Sequence, residues 1–288
     1  MNHIITEMLS RYQAEGLADK KNAVKEIMQE IVLCGLSRTD FFRKVAFYGG
    51  TALRIFYGLD RFSEDLDFSL MTPDADFELS SFFPMLEKEV ASYGLHVDIS
   101  EKEKTKESAI RSAFLKGNTR EHMLLFYAND PAIRRVAENE SIRIKLEVDT
   151  NPPDGATFDH QYRLLPAPYA VTLYDIPSLF AGKVHAVICR AWKNRVKGRD
   201  LYDYIFYLSK NAALNINHLK ARLVQSGVWS KDLSFTKEDA KGLLYKRFDE
   251  IDYQQAKEDV RPFIRNTASL ELWNADFFKK ITENISER

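Results

Sequence analysis

The hydrophobic pattern divides the chain into a mixed first part and an almost wholly helical second part. Apolar positions near helical spacing predict an amphipathic helix over residues 17–36, a short helix over 37–45 with Ser37 as N-cap, and a third over 76–93. Strand-like runs are predicted at residues 66–70, 95–100, 109–116, 122–128 and 141–149. Five of the nine prolines follow these runs, and beyond Pro177 the pattern predicts helices to the end.

One strand-like run carries two carboxylates on the face opposite its apolar side chains. In "DLDFSL", the period of two points Leu66 and Phe68 one way and Asp65 and Asp67 the other. Carboxylates so close together repel unless a cation lies between them, and Mg²⁺ prefers such oxygen ligands together with the phosphates of a nucleotide. We therefore favour a metal site over two solvated aspartates on an edge strand.

A glycine pair precedes this run and supports the same interpretation. Gly49 and Gly50 would let backbone N–H groups approach a phosphate, and a helix that starts at Thr51 would direct its positive end at the anion. The hydroxyl of Thr51 or Ser63 could donate to a phosphate oxygen. The alternative is a tight turn with Thr51 as N-cap; the P-loop pattern G-x-x-x-x-G-K-[ST] does not occur.

A third carboxylate would come from the run "SIRIKLEVD", which alternates cleanly. Glu147 and Asp149 share its polar face, and Glu147 is preferred because it lies deeper in the strand. Lys145 on the same face could balance charge or be an ordinary exposed residue. Two metals about 4 Å apart would align an attacking hydroxyl with an α-phosphate and stabilise the leaving pyrophosphate.

Composition changes this picture little. The 288 residues suffice for one large domain or two ordinary ones, which we divide as 1–170 and 171–288. The net charge of -1 gives no global nucleic-acid signature, but the run from Lys183 to Arg199 holds six Lys/Arg and no acid. Such a run suits a triphosphate or an RNA backbone, although a solvated helix face is the ordinary explanation.

Other classes of site find no support. Two cysteines are too few for a disulfide framework, and the six histidines lack the spacing of a zinc site. The N-terminal residues lack a signal-peptide core, and no run approaches about 18 apolar residues. We expect a cytoplasmic protein without a membrane partner.

Two stretches carry a family resemblance. The segment "GGTALRIFYGLDRFSEDLDF" resembles the GG-T/S…D-x-D signature of the polymerase-β-like nucleotidyltransferase superfamily, and its extended form is similar to the AbiEii/AbiGii toxin family. Downstream, "LFAGKVHAVICR" and "KGRDLYDYIFYL" resemble the lysine-bearing helix and the R-D-x-x-D helix of that family. The matches run from about residue 45 to 208, and "AGK" replaces the more usual alanine-glutamate-lysine.

The resemblance implies an α+β fold, with a mixed nucleotidyltransferase sheet flanked by helices and a C-terminal helical bundle. It implies transfer of NMP from an NTP to RNA, notably tRNA 3′ ends, by a toxin with a cognate antitoxin and Mg²⁺ or Mn²⁺ as cofactor. The catalytic residues would be Asp65, Asp67, Glu147, Lys183, Asp200 and Asp203, the first three of them as metal ligands. The nucleotide would be held by Gly49, Gly50, Thr51, Arg54, Ser63 and Lys183.

Two other functions stay open at this point. The same pocket could transfer a nucleotide to a protein or a small molecule, or the chain could be a nucleotide-binding or antitoxin-binding module without turnover. RNA as the acceptor predicts salt-dependent binding with contributions from the basic residues Arg190, Lys193, Arg195 and Lys197. A small-molecule acceptor predicts neither.

Overall fold

The structure is a computed structural model that describes residues 3–102, 109–128, 130–190 and 196–288. The chain forms two compact units. The first comprises Met1–Ala52, Phe62–Pro152 and His160–Leu173, and the second comprises Leu53–Arg61, Pro153–Asp159 and Tyr174–Arg288. The simpler division at residue 170 stays a prediction about domains.

The elements up to residue 174 are a mixture of helices and strands. In chain order they are α1 (His3–Leu9), α2 (Leu17–Ser37), α3 (Phe41–Lys44), β1 (Val45–Tyr48), α4 (Gly49–Tyr57), β2 (Leu66–Leu70), α5 (Phe83–Ser92), β3 (Asp98–Glu101), β4 (Ile110–Asn118), α6 (Thr119–Phe126), β5 (Ser141–Asp149), β6 (Phe158–Arg163) and β7 (Tyr169–Tyr174). Short 3-10 helices lie at Leu79–Phe82 and Pro131–Arg135.

The first seven strands form one mixed sheet in the order β3-β4-β5-β2-β1-β7-β6. Strand β2 runs antiparallel to β1 and parallel to β5, while β4 pairs antiparallel with both β5 and β3. Strand β1 in turn pairs parallel with β7. A mixed α/β architecture with a sheet flanked by helices confirms the predicted fold class.

The apolar face of β2 is anchored in an aromatic cluster. The ring of Phe68 lies 5.1 Å, centroid to centroid, from the rings of both Phe41 and Phe47, and all three side chains are buried. Burying each such ring stabilises the fold by about 1.5–3 kcal/mol. Because β2 alternates, this packing fixes the opposite face as the one that presents Asp67.

The second unit is mainly helical, as predicted for the chain beyond Pro177. Its elements from residue 176 are α7 (Ile176–Cys189), α8 (Gly198–Ser209), β8 (Ala213–Leu214), α9 (Ile216–Gln225), α10 (Lys237–Phe248), α11 (Tyr253–Val260), α12 (Ala275–Thr282) and β9 (Ser286–Glu287), with 3-10 helices at Arg261–Phe263 and Ala268–Leu272. Rings of Tyr204, Phe248 and Phe278 pack together in its core. The Tyr204 hydroxyl meets Thr282 Oγ1 at 2.6 Å, which satisfies a buried polar group.

Several predicted elements are wrong in type or position. The run 122–128 lies mostly in the helix α6 rather than a strand, because Asn118 caps that helix by accepting from the backbone N–H of Glu121. Ser37 ends α2 instead of capping the next helix, and its hydroxyl donates to the carbonyl of Cys34. Strands β6 and β7 lie in the Pro-rich stretch, where no strand was predicted.

In the ranges that the structure describes, no helix combines the length and the apolar run needed to cross a bilayer.

Candidate active site

A row of four polar side-chain positions crosses the middle of the sheet. Asp67 on β2 pairs in register with Tyr48 on β1 and with Glu147 on β5, and Glu147 pairs with Ser112 on β4. Residues directly opposite one another on neighbouring strands point to the same face. The structure therefore brings the predicted carboxylates Asp67 and Glu147 together on one face of the sheet.

The glycine predicted to approach a phosphate lies against one of these carboxylates. Gly49 has φ +83°, and a Cβ placed there would come within 2.6 Å of Asp67 Oδ2. Both the backbone conformation and the available space therefore require glycine. The helix α4 begins at Gly49, two residues before the predicted start, and ends at Tyr57 with Gly58 at φ +78°.

We expect Gly49→Ala to impair the site more than the fold. The positive φ costs an alanine about 1–2 kcal/mol, and the added methyl group must displace the Asp67 carboxylate. A displacement near 1 Å reduces catalysis about 10²-fold, which the rate of nucleotide incorporation would measure. The matched control is Gly58→Ala, which has a similar φ but no atom within 4 Å of the new Cβ. Equal activity losses in the two variants would contradict the role of the Asp67 contact.

Asp65 lies one residue before β2. Although the residue is exposed, crowding by protein atoms raises the pKa of its carboxyl, and the negative charges of Glu64 and Glu147 raise it further, against the opposing effect of Lys145 and Lys25. A carboxylate whose charged form is disfavoured in this way gains from a bound cation.

Buried polar groups hold the segment that leads to Asp65. Thr51 is 1% exposed, and its hydroxyl hydrogen-bonds to the backbone carbonyl of Asp65 and lies 2.8 Å from Ser63 Oγ. From α2, the buried Gln29 donates its amide to the carbonyls of Ser63 and Glu64. The predicted phosphate donor Thr51 therefore has a structural bond, whereas Ser63 is half-buried.

The side chains of Asp65, Asp67 and Glu147 are chemically suited to bind a divalent cation, but their oxygens do not converge on a single point. Carboxylate oxygens from two neighbouring strands are suitable ligands for Mg²⁺. Among the described residues, however, no three His, Cys, Asp or Glu side chains form a ready metal-binding group. Lys145 Nζ lies 2.8 Å from Glu147 Oε1, and the Ser112 hydroxyl donates to the same oxygen at 3.1 Å.

The alternative third carboxylate, Asp149, has a different place in the sheet. It pairs in register with Ser69, two residues beyond the Asp67–Glu147 pair, and its Oδ1 accepts from the backbone N–H of Asn151 at 2.9 Å. Asp149 thus holds the turn that follows β5.

The downstream candidates form a buried ion-pair network within the second unit. Arg61 donates to both oxygens of Asp203 at 2.6 Å, and Lys183 Nζ lies 2.8 Å from Asp203 Oδ2. The side chain of Asp203 is fully buried, which by itself would raise the pKa of its carboxyl, yet the two cations lower it. Asp203 is therefore a paired, charged group, and its main partner is Arg61 rather than the sequence neighbour Arg199.

Asp200 extends this network towards the surface. Its carboxylate lies 2.7 Å from Lys183 Nζ and 2.9 Å from Arg190 Nε, and Arg190 is more than a third exposed. Burial alone would lower the pKa of Lys183, but Asp200 and Asp203 raise it above its usual value. Lys183 is thus an ammonium held by two carboxylates, which favour its charged form.

The remaining predicted residues are Arg54 and three basic residues after Arg190. Arg54 donates to the carbonyl of Leu59 at 2.9 Å and so braces the chain after α4. Lys197 precedes α8, whereas Lys193 and Arg195 lie outside the described residues.

Three further residues, Arg61, Gln29 and Ser112, have contacts that the sequence patterns did not predict. Arg61 lies in the quoted segment "GGTALRIFYGLDRFSEDLDF", next to the apolar Phe62, and a cation beside apolar residues can indicate a buried ion pair. Gln29 gave a weaker signal, as a polar residue within an apolar stretch of α2. Ser112 gave none, because its role depends on strand register.

A family model described as "Nucleotidyl transferase AbiEii toxin, Type IV TA system" matches residues 31–280. The chain belongs to this AbiEii family. It is therefore a nucleotidyltransferase of the toxin–antitoxin class, and the family implies an NTP substrate, a divalent metal and an antitoxin partner. The match covers both units and extends beyond the motifs quoted from the sequence.

Solved structures are similar to this chain at low sequence identity. JHP933 from Helicobacter pylori is 17% identical with a TM-score of 0.51, over 91% of this chain and 90% of that chain. A second H. pylori chain is 18% identical with a TM-score of 0.50, over 90% and 92%. MenT4, a nucleotidyltransferase toxin from Mycobacterium tuberculosis H37Rv, is 14% identical with a TM-score of 0.49, over 96% and 87%. No curated protein matches the sequence.

Proposed function

We propose that this protein transfers the nucleoside monophosphate of an NTP to the 3′-hydroxyl of tRNA, with Mg²⁺ or Mn²⁺ held by Asp65, Asp67 and Glu147. The observation that carries the proposal is the in-register pair of Asp67 and Glu147, with Gly49 packed against the Asp67 carboxylate. Nucleotidyl transfer itself follows from the family. The acceptor, the metal and the role of each residue are what the proposal adds.

The three carboxylates suit the charge distribution of this reaction. Divalent cations would neutralise the α-phosphate and the leaving pyrophosphate during in-line attack. Asp67 and Glu147 would hold them from adjacent strands, and Asp65 from the residue before β2. Glu147 is preferred to Asp149, because Asp149 lies opposite Ser69 and caps a turn.

For the triphosphate we propose the backbone N–H groups at the start of α4 and the hydroxyl of Ser63. At the helix start at Gly49, the first backbone N–H groups have no intrahelical acceptor and lie at the positive end of the helix dipole. Ser63 is preferred to Thr51, whose buried hydroxyl bonds to the Asp65 carbonyl.

In the second unit, Lys183 is proposed to bind phosphate and Asp203 to position it. Both oxygens of Asp203 are bonded by Arg61 and Lys183, so Asp203 acts by fixing the lysine. Arg190, which is more than a third exposed, and Lys197 are proposed to contact the RNA backbone.

The test is transfer of label from each α-³²P-labelled NTP in turn to tRNA, with Mg²⁺ present. We expect one or more NTPs to label tRNA with an intact 3′ end and not the same tRNA after periodate oxidation, because oxidation removes the attacking hydroxyl. Binding of tRNA should also weaken steeply with salt, as phosphate contacts by Arg190 and Lys197 require.

Equal labelling of intact and oxidised tRNA would contradict attack by the 3′-hydroxyl. Label in a protein band or in a small molecule, with none in tRNA, would contradict the RNA acceptor and favour the alternative transferase activities. Activity that persists after removal of divalent cations by EDTA would contradict the metal site.

A further inference from the structure

Lys145 lies within the carboxylate cluster rather than beside it. It is two residues before Glu147 on β5 and therefore points to the same face of the sheet. Its Nζ is 2.8 Å from Glu147 Oε1, and about a third of each side chain is exposed. The ammonium thus contacts one of the oxygens that a cation at this site would bind.

The strand register also places Lys145 beside the second carboxylate. Leu66 pairs with Leu146, and Asp65 and Lys145 are the residues that precede this pair on their two segments. Asp67 is the register partner of Glu147. One ammonium and three carboxylates therefore share adjacent positions on one face, with a combined charge of two negative units.

We propose that Lys145 is the resident counter-ion of this site, bound to Glu147 before metal binds and exchanged for the divalent cation when the site is loaded. The inference rests on the proposed metal site and adds a role for a residue outside its ligand set. Without a cation the carboxylates repel one another, and Lys145 relieves this repulsion. Metal binding must then separate Glu147 from Lys145, so the lysine opposes metal binding while it stabilises the empty site.

A surface salt bridge without this role would behave differently. Exposed ion pairs contribute little to stability, and losing one should leave metal affinity unchanged. Competition between Lys145 and the cation instead predicts that removing the lysine strengthens metal binding. The change in metal affinity on removing Lys145 therefore distinguishes a surface salt bridge, which predicts no change, from competition, which predicts tighter binding.

The experiment titrates Mn²⁺ into the full chain without nucleotide and measures free Mn²⁺ by electron paramagnetic resonance. We expect Lys145→Gln and Lys145→Met to bind Mn²⁺ about tenfold more tightly than the wild type, because a unit positive charge close to the ligands is removed. Lys145→Arg keeps the charge and should stay within about twofold of the wild type. The melting temperature should rise more on adding Mn²⁺ in Lys145→Gln than in the wild type.

Arg143→Gln is the matched control. Arg143 is two residues earlier on the same face of β5, where its Nε donates to Ser141 Oγ at 3.1 Å, and its loss should leave Mn²⁺ affinity unchanged. Unchanged or weaker Mn²⁺ binding by Lys145→Gln would overturn the counter-ion role of Lys145 but not the proposed metal site. Arg143→Gln binding Mn²⁺ as tightly as Lys145→Gln would have the same consequence. A wild type that binds no Mn²⁺ would overturn the proposed metal site and the inference with it.

Discussion

Asp65→Asn and Asp67→Asn are expected to lose nucleotidyl transfer by about 10³-fold or more. Each substitution replaces the carboxylate of a proposed metal ligand by a neutral amide of nearly the same size. Metal ions contribute several kcal/mol to the stabilisation of such transition states, and each ~1.4 kcal/mol corresponds to about tenfold in rate. The measurement is the initial rate of α-³²P-NMP incorporation at saturating NTP, with melting temperatures to confirm that the variants fold.

Glu147→Gln and Asp149→Asn make a matched pair within this prediction. Both residues lie on the polar face of β5, but only Glu147 is opposite Asp67. We expect Glu147→Gln to lose transfer to a similar degree, and Asp149→Asn to retain most of it because the amide oxygen can still accept from the N–H of Asn151. The reverse result would make Asp149 the third carboxylate. Full activity in the Asp67→Asn variant would refute the carboxylate site altogether.

Much of the carboxylate site could be predicted because it depends on local patterns. A strict period of two in residues 66–70 and 141–149 determines which side chains share a face, and both segments are strands, β2 and β5; Asp65 lies one residue before β2. What the alternation cannot supply is register. The pairing of Asp67 with Glu147 rather than Asp149 depends on how two strands align, which no local signal determines.

The errors in secondary structure have local physical causes. Residues 122–128 form a short apolar run, which periodicity alone cannot assign to a strand or a helix. The N-cap at Asn118 favours a helix for this run, and the structure has helix α6 there. Strands β6 and β7 are short and flank a Pro-rich connection, and they pair with each other at the edge of the sheet. Because proline disfavours strands, its presence here argued against predicting them.

The ion-pair network could be predicted only in part. The sequence singled out Lys183, Asp200 and Asp203, but their mutual contacts depend on packing between α7 and α8, and Lys183 is 17 positions from Asp200. Asp203 pairs with Arg61 and Lys183, whereas its sequence neighbour Arg199 pairs with Asp259. Arg61 is 142 positions from Asp203, a separation at which sequence spacing gives no information.

Asp203→Asn is expected to lower the free energy of unfolding by about 3–5 kcal/mol, the cost of leaving buried charges without their partner. Arg61 is 3% exposed and the Lys183 side chain is 13% exposed, so water can replace little of the lost carboxylate. The amide keeps the size of the side chain and one acceptor oxygen, but it removes the charge and turns the NH2 group towards a donor of Arg61 or Lys183. Urea unfolding followed by circular dichroism would measure it, with an unchanged m-value as the sign of an unaltered transition.

Asp249→Asn is the control for this prediction. Asp249 pairs with Lys279 at 2.6 Å, but both side chains are at least a third exposed, and the substitution should cost less than about 1 kcal/mol. The double variant Arg61→Met/Asp203→Leu removes both charges of the main pair and should recover part of the loss of the single variant. If Asp203→Asn cost no more than Asp249→Asn, the buried pair would contribute little to stability. Asp203 would then act only by positioning Lys183. In that case Asp203→Asn would lose transfer activity while its free energy of unfolding stayed unchanged.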